Sequence, residues 1–210
     1  MDLNYSIENI FPTPIHVFDI NRFDEIRDSL IDYAYDLRKK EPISIGSSEN
    51  EAWNYCHPSE GWQSPRFNVN NKNDLLQNYL ITALTQFSSI KETVGMRVST
   101  WMNINPKNTL SVKHDHPCSD LAGVLWVKCS KNCGRIVFDN SLNFQSFNEI
   151  NSYTDKFKER TNYYHNYFFN PIEGRMIIFP SHLQHHVEVN KSEEDRISIS
   201  FNINLVPHGQ

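Results

Sequence analysis

Apolar residues recur at helical spacing in two stretches near the N-terminus. The first stretch follows Asn21, a predicted helix cap, and ends at the basic run 38–40, which suits the carboxyl end of a helix dipole. Its apolar stripe consists of Phe23, Ile26, Leu30, Ile31, Tyr33, Ala34 and Leu37. The second stretch covers residues 73–90. Both patterns predict amphipathic helices, and the first is long enough for about five turns.

Beyond Gly95 the period of the hydrophobic pattern changes to two, which is typical of strands with one buried face. We predict strands at 96–105, 109–116, 121–129, 135–139, 174–180, 185–189 and 195–205. So many short strands in succession, separated by turn residues, favour a jelly roll or a barrel-like sandwich. The fold class is therefore mostly β, with two N-terminal helices that buttress a jelly-roll core.

The same patterns predict how the chain is organised. We expect a single domain over 1–210, in which 1–94 form a helical buttress and 95–210 form the jelly-roll core. An edge strand is expected within 7–20, because two prolines interrupt its β-branched and aromatic residues. Residues 41–70 and the insertion 141–170 read as loops, with one helical turn expected at Lys156–Arg160. Either loop could cover an active site.

Composition gives no support to some classes of function. The chain has 210 residues and a net charge of -5, so it lacks the basic surface expected of a nucleic-acid-binding protein. It has no apolar run of the roughly 20 residues that span a bilayer and no basic-then-apolar leader, so we expect a cytoplasmic protein without a membrane segment. The four cysteines do not complete a zinc motif and are expected to be reduced structural thiols.

Three histidines are the strongest candidates for chemistry. His114 and His116 are two residues apart on a predicted strand, so both side chains project to one side, whereas Asp115 projects to the other. His185 lies on the inward face of a later strand, together with Val187. Three converging imidazoles would form a facial metal site with open positions, an arrangement that suits non-heme iron. A solvated loop pair at 114 and 116 is the alternative, as is ligation by Asp115.

The last predicted strand offers an anion anchor. Arg196, Ser198, Ser200 and Asn202 alternate along it with four apolar residues. A guanidinium can bind a carboxylate in bidentate fashion, so Arg196 is the predicted anchor, with Ser198 beside it. The predicted strands also place Asn103, Asn105 and Trp126 around the same cavity. The alternative is that Arg196 and Ser198 belong to the solvated face of an edge strand.

Seven segments of the chain form a recognisable series. They are Trp101-Met-Asn103-Ile-Asn105, His114-Asp-His116-Pro, Leu121 to Val127, Gly134 to Phe138, Gly174 to Ser181, His185 and Arg196 to Asn202. Together they resemble a known family, the 2-oxoglutarate and Fe(II)-dependent oxygenases of phages and bacteria. The resemblance covers the chain from about residue 95 to its end. It implies a double-stranded β-helix, with iron held by a histidine, a carboxylate two residues later and a distal histidine.

Carried over to this sequence, the resemblance makes His114 the first ligand, His185 the distal ligand and Arg196 the anchor of 2-oxoglutarate. His116 stands where the wider superfamily has Asp or Glu, and we predict that three histidines hold the metal. The implied activity is an Fe(II)- and 2-oxoglutarate-dependent dioxygenase. It would use O2 to hydroxylate an unidentified substrate and release succinate and CO2. The alternative is a cupin-like jelly roll that binds a metal or ligand without turnover.

Overall fold

A computed structural model of the chain describes residues 6–7, 9, 11–43, 61–68, 94–140 and 149–207. The predicted second helix at 73–90 and the cysteine at 56 lie outside these residues. The strands are β1 (His16–Asp19), β2 (Trp62–Gln63), β3 (Phe67–Asn68), β4 (Val94–Asn105), β5 (Ser111–His114), β6 (Leu121–Lys128), β7 (Ile136–Asp139), β8 (Asn166–Phe169), β9 (Arg175–Pro180), β10 (His185–Val187) and β11 (Arg196–Pro207). The helices are α1 (Asp24–Lys40), α2 (Glu149–Ser152) and α3 (Asp155–Thr161).

The described strands form two antiparallel sheets. The larger sheet has the order β1-β9-β6-β11-β4-β2, and β3 also pairs with β4. The smaller sheet has the order β5-β10-β7-β8. The mostly β jelly-roll fold expected from the sequence is confirmed, and all seven predicted strands are present within a few residues of their predicted bounds.

Helix α1 covers the outer face of the larger sheet. Its partly buried Ile26, Leu30 and Ile31 pack against a core cluster that includes Met102 and Phe201. The basic residues predicted at its end lie in its last turn. Two details of the prediction were wrong. Asn21 does not cap the helix, because the cap position is Phe23 and no side chain makes the capping bond. Tyr33 is half exposed, and Tyr35 packs against the sheet instead.

A second apolar cluster fills the space between the two sheets. It contains Ala122, Trp126 and Ile177 from the larger sheet and Ile136 and Phe138 from the smaller one, among others. The larger sheet therefore buries both of its faces, one under α1 and the other under the smaller sheet. For this reason, the predicted alternative in which the face of Arg196 is a solvated edge is wrong.

The insertion at 141–170 contains regular structure where the sequence predicted a loop. Helices α2 and α3 and strand β8 lie within its described part, 149–170, and α3 includes the helical turn predicted at Lys156–Arg160. β8 pairs with β7 at the margin of the smaller sheet. The aromatic run Tyr167-Phe168-Phe169 has high strand propensity, a local signal that the sequence prediction did not use.

The N-terminal edge strand is confirmed at His16–Asp19, where β1 pairs with β9. Within the described ranges, no helix is long and apolar enough to cross a bilayer. The cytoplasmic location stays a prediction. The three cysteines that the structure describes, Cys118, Cys129 and Cys133, are free thiols.

Candidate metal and 2-oxoglutarate site

Two neighbouring strands of the smaller sheet bring two histidines together. His114 ends β5, His185 begins β10, and the two residues are direct antiparallel partners. Cross-strand partners project to the same side of a sheet, and the centroids of these two rings are 4.4 Å apart. The ring of His185 also packs against Phe179 and Phe138 of the apolar cluster between the sheets.

His116 completes the group just after β5 ends. Its backbone N–H donates to the carbonyl oxygen of Ser181, 3.0 Å away, and this bond fixes the chain where it leaves the sheet. The ring centroid of His116 is 5.1 Å from that of His114 and 5.2 Å from that of His185. The ligand atoms of all three histidines lie within 4.8 Å of one another.

Backbone carbonyls fix the tautomers of two of the rings. Nδ1 of His114 lies 2.7 Å from the carbonyl oxygen of Val112, and Nδ1 of His185 lies 2.8 Å from that of Leu183. A carbonyl can only accept, so each Nδ1 carries the proton and each Nε2 keeps a lone pair. Such an outer hydrogen bond is what orients a metal-binding histidine.

The electrostatic surroundings keep the imidazoles neutral. Burial lowers the pKa of His114, and it lowers the pKa of His185 to about 3 with the help of nearby His114. Burial also lowers the pKa of His116 to about 3, assisted by His185, His114 and the cation of Arg66. Since a metal binds the neutral ring, these shifts favour metal binding at neutral pH.

The donor set fits a divalent transition metal. Nε2 of His116 and Nε2 of His185 are 3.4 Å apart. Imidazole nitrogens bound at about 2.1 Å to one ion lie about 3.0–3.4 Å apart at ordinary coordination angles. The group of possible ligands includes His116 and not Asp115. The geometry therefore favours the three-histidine set over the alternative with Asp115.

Arg196 lies on the face of the larger sheet that meets the smaller one. Its side chain is 2% exposed, and Nη1 donates to the carbonyl oxygen of Cys133 at 2.5 Å. Burial lowers the pKa of the Arg196 guanidinium, and the nearby Cys133 and Cys129 act in the opposite direction. Among the residues that the structure describes, no Asp or Glu forms an ion pair with Arg196.

The other predicted residues share this inner face with Arg196. In the pairing of β11 with β4, Arg196 lies opposite Asn105, and Ser198 lies opposite Asn103. On its other side, Ser198 lies opposite Trp126 of β6. Trp126 is buried in the apolar cluster between the sheets, and its role as the apolar wall of the site stays a prediction. Nδ2 of Asn103 donates to Ser200, the next inward residue of β11.

Trp101 connects the two parts of the site and was not among the predicted site residues. It pairs with Ser200, and its ring centroid is 6.2 Å from that of His116. The guanidinium of Arg66 lies 5.4 Å above the same Trp101 ring. The signal for Trp101 was its position, since it shares the alternation that places Asn103 and Asn105 inward.

A sizeable surface depression lies elsewhere. It has a volume of 880 Å³ and is lined by residues of β5, β10 and the segment 130–135, including Cys133 and His186. None of His114, His116 and His185 lines it. The chemistry of the three histidines, rather than the size of a depression, therefore identifies the candidate site.

Comparison with known proteins agrees with this geometry. Residues 99–202 match a family described as putative 2OG-Fe(II) oxygenase, where 2OG is 2-oxoglutarate. No curated protein sequence matches the chain. The matched segment contains every residue discussed above as a candidate for metal or co-substrate binding.

Three solved structures share the fold at low sequence identity. A prolyl-4-hydroxylase from Pseudomonas putida is 10% identical, with a TM-score of 0.61 over 91% of this chain and 93% of that one. A prolyl hydroxylase from Trichoplax adhaerens, in complex with a peptide fragment of hypoxia inducible factor, is 10% identical, with a TM-score of 0.56 over 90% and 83%. HygX from Streptomyces hygroscopicus, with nickel and 2-oxoglutarate bound, is 11% identical, with a TM-score of 0.54 over 94% and 84%. Residues 99–202, just under half of the chain, therefore belong to the family of putative 2OG-Fe(II) oxygenases.

Proposed function

We propose that this protein is an Fe(II)- and 2-oxoglutarate-dependent dioxygenase in which His114, His116 and His185 hold the iron. Arg196 binds the carboxylate of 2-oxoglutarate that lies far from the metal. The reaction converts 2-oxoglutarate and O2 into succinate and CO2 and hydroxylates a substrate that is not identified. Membership of the oxygenase family supports the reaction class, and the residue roles rest on the geometry described above.

The single observation that carries the proposal is the buried guanidinium of Arg196. A buried charge without a counter-ion is costly, and here no described carboxylate compensates it. A dicarboxylate that places one end against Arg196 offsets this cost with a charge-assisted hydrogen bond. The other end of the molecule is then free to reach the three histidines.

The order of residues along β11 supports this bridging position. Along β11, Arg196 is followed by two inward residues, Ser198 and then Ser200. Ser198 pairs with Asn103, and Ser200 pairs with Trp101, whose ring lies beside that of His116. Successive inward pairs on a strand are separated by about 7 Å. A five-carbon dicarboxylate can therefore extend from Arg196 past Ser198 toward the histidines. The hydroxyl of Ser198 and the amides of Asn103 and Asn105 are the polar groups along that path.

The protein's own residues hold and shield the reactants. The carbonyls of Val112 and Leu183 keep two imidazoles oriented, and Phe179 and Trp126 exclude water from the inner face. Iron, when bound, supplies the redox chemistry with O2 and 2-oxoglutarate. Because the second ligand is His116 rather than a carboxylate, the three protein ligands leave the full charge of the metal uncompensated, which strengthens its attraction for the anionic co-substrate.

The test compares Arg196→Ala with the wild-type protein. Anaerobic protein is titrated with Fe(II) and then with 2-oxoglutarate, and the weak absorption band of the chelated complex reports binding. Arg196→Ala should bind Fe(II) as the wild type does and bind 2-oxoglutarate roughly 10- to 100-fold more weakly, because a charged hydrogen bond is lost. Arg175→Ala is the matched control, because Arg175 pairs with Asp19 on an exposed strand.

Two results would count against the proposal. One is a wild-type protein that shows no absorption band and releases no succinate under air. That result would favour the cupin-like protein without turnover. The other is an affinity for 2-oxoglutarate that is the same in Arg196→Ala and Arg175→Ala.

A further inference from the structure

The margin of the larger sheet contains one extra residue beside the metal site. β2 pairs with residues 103–104 of β4, and β3 pairs with residues 99–100 of the same strand. Three residues between β2 and β3, 64–66, therefore face only two residues of β4, Trp101 and Met102. A strand with one residue more than its partner forms a β-bulge, and a bulge beside a site changes the direction of a side chain.

Ser64 holds this bulge in place. Its backbone N–H donates to the carbonyl oxygen of Met102 at 2.9 Å, and its buried hydroxyl accepts from the N–H of Met102 at 3.0 Å. The same hydroxyl donates to the carbonyl oxygen of Pro65 at 2.8 Å. Because Ser64 takes both backbone groups of Met102, Pro65 and Arg66 are both left opposite Trp101. A proline suits such a position, since it has no N–H to leave unpaired.

The side chain of Arg66 extends from the bulge over Trp101. Its guanidinium carbon lies 5.4 Å from the centroid of the Trp101 ring, a cation–π contact that orders an otherwise exposed side chain. The same Trp101 ring lies 6.2 Å from that of His116. No carboxylate in the described ranges forms an ion pair with Arg66. An ordered cation without a described partner therefore lies at the solvent-exposed margin of the metal site.

Arg66 and Arg196 lie on different sides of β4. Arg196 belongs to β11 and lies opposite Asn105, whereas Arg66 lies on the side of β2 and β3, opposite Trp101. Asn105 and Trp101 are four residues apart on β4, roughly 13 Å along the strand. The proposed function already assigns both ends of 2-oxoglutarate, one to Arg196 and the other to the histidines. An anion at Arg66 is therefore part of a second molecule.

We propose that Arg66 binds an anionic group of the substrate, a carboxylate or a phosphate, and so selects an acid as the molecule that is oxidised. This inference rests on the proposed oxygenase function, because it assigns the substrate class of that site. A guanidinium can bind either anion in bidentate fashion. Three neutral imidazoles leave the charge of a bound metal uncompensated, so the metal and Arg66 together attract an anion and repel a cation such as a lysine side chain.

The experiment detects weak binding of small acids close to the metal. Full-length protein is loaded with Fe(II) and 2-oxoglutarate without oxygen, and fluorine NMR measures the relaxation of three probes. The probes are 4-fluorobenzoate, 4-fluorophenyl phosphate and the neutral 4-fluorobenzamide. High-spin Fe(II) accelerates the relaxation of a fluorine atom bound near it, and the Zn(II)-loaded protein supplies the diamagnetic baseline.

The wild type is compared with Arg66→Gln, Arg66→Lys and a matched control. The control is Arg175→Gln, which removes the same charge from an ion pair with Asp19 near the opposite margin of the larger sheet. The absorption band of the chelated complex gives the affinity of each variant for 2-oxoglutarate. This second readout separates an anion of the substrate from a carboxylate of the co-substrate.

In the wild type and in Arg175→Gln, at least one of the two anions should bind about tenfold more tightly than the amide, which matches one charged hydrogen bond. Arg66→Gln should abolish this preference. Arg66→Lys should retain part of it, because lysine keeps the charge but not the planar fork of donors. The affinity of Arg66→Gln for 2-oxoglutarate should differ from the wild type by less than about twofold, because solvent and salt screen an exposed charge.

Three results would overturn the inference. The first is a wild type in which the anions relax no faster than the amide, or in which no probe shows paramagnetic relaxation. The second is a preference for the anions that persists in Arg66→Gln, which would place them on the metal or on Arg196. The third is an affinity for 2-oxoglutarate at least about tenfold lower in Arg66→Gln, which would make Arg66 a contact of the co-substrate.

A failure of the proposed function is recognised separately. It appears as a wild type that gives no absorption band with Fe(II) and 2-oxoglutarate. The relaxation of the same probes with Co(II)-loaded protein then still decides whether Arg66 binds an anion beside the three histidines. A preference for the anions that Arg66→Gln abolishes would support the anion site, and equal relaxation in the two proteins would refute it.

Discussion

The two faces of strand β11 are buried to nearly the same degree but differ in chemistry. On the outer face, Ile197, Ile199, Phe201 and Ile203 are at most 1% exposed and pack under α1. On the inner face, Arg196 is 2% exposed, and Ser198 and Asn202 are 7% exposed. Burial of apolar groups stabilises a protein, whereas burial of polar groups costs free energy unless they find partners.

The inner face does not fully satisfy its polar groups. Among the residues that the structure describes, none forms a hydrogen bond with the buried Oδ1 of Asn202, and no carboxylate pairs with Arg196. The outer face therefore holds the fold together, while the inner face carries buried polar groups that the proposed ligands would partner. Four predictions test this division of roles.

The largest expected effect comes from the outer face. Phe201→Ala removes a fully buried ring and should lower the free energy of unfolding by about 3–5 kcal/mol. Chemical denaturation measures this change. The surviving folded fraction should bind Fe(II) as the wild type does, because Phe201 points away from the histidines. A loss of less than 1 kcal/mol would mean that the outer face is not the main source of stability.

The pH dependence of metal binding tests the inner face. From the sequence alone, free histidine titrates near pH ~6.5, and metal affinity should fall below that value. In the folded protein, however, burial lowers the pKa of His116 and of His185 to about 3. Protons then compete with the metal only in more acidic solution. We expect the affinity for a divalent metal to be nearly constant from pH 7 to 6 and to fall only further toward acid.

Calorimetry with Zn(II) or Co(II) at several pH values checks this expectation. A tenfold loss of affinity between pH 7 and 6 would show that the imidazoles titrate as exposed groups. The same lowered pKa values make the metal-free fold sensitive to acid. The unfolded chain binds protons at these two histidines below pH ~6.5 and the folded chain does not, so stability falls as pH decreases from there toward about 3.

Gly134→Ala tests how the neighbouring turn supports the inner face. Gly134 has φ +93°, and an added Cβ would lie 2.2 Å from the carbonyl oxygen of Glu188 and 2.8 Å from Nη1 of Arg196. The carbonyl is backbone and cannot move aside, so we expect a destabilisation of about 1–3 kcal/mol and weaker binding of 2-oxoglutarate. Denaturation and co-substrate titration measure the two effects, and unchanged values in both would contradict the placement of this turn.

The smallest effect is expected for Ser200→Ala. The Ser200 hydroxyl accepts a hydrogen bond from Nδ2 of Asn103 at 3.0 Å, so its removal should cost about 1 kcal/mol. Thermal or chemical denaturation detects this difference. Since Ser200 and Phe201 are adjacent and face opposite ways, the pair compares the two faces within a single strand. If Ser200→Ala lowered the free energy of unfolding as much as Phe201→Ala does, the two faces of β11 would not differ in their contribution to stability.

The sequence predicted the strands of the core well, because alternation of side chains is a local property. His114 with His116, and Arg196 with Ser198, are two residues apart, so their shared direction follows from strand geometry alone. The insertion was predicted poorly. Its short helices and β8 carry no strong hydrophobic period, and β8 exists because it pairs with β7. Pairing between distant segments is decided by tertiary contacts.

The alternation along β11 also left one question that only the structure answered. A strand in which polar and apolar residues alternate can be an edge strand with one solvent-exposed face, or a central strand with a polar site on its inner face. β11 lies between β6 and β4, so the second description holds. In the same way, the choice between His116 and Asp115 depends on how the chain turns after His114, where the regular strand ends.

The sequence by itself determined the spacing of His114 and His116 and the alternation that places Arg196 and Ser198 on one face of a strand. The tertiary structure decided that His185 pairs with His114 on the neighbouring strand and that Arg196 donates a hydrogen bond to the carbonyl oxygen of Cys133. It also decided the electrostatics, since burial between two sheets lowers the histidine pKa values and leaves the guanidinium without a described counter-ion. The physical reason is that direction along a strand is local, whereas proximity and desolvation arise only when distant segments pack together.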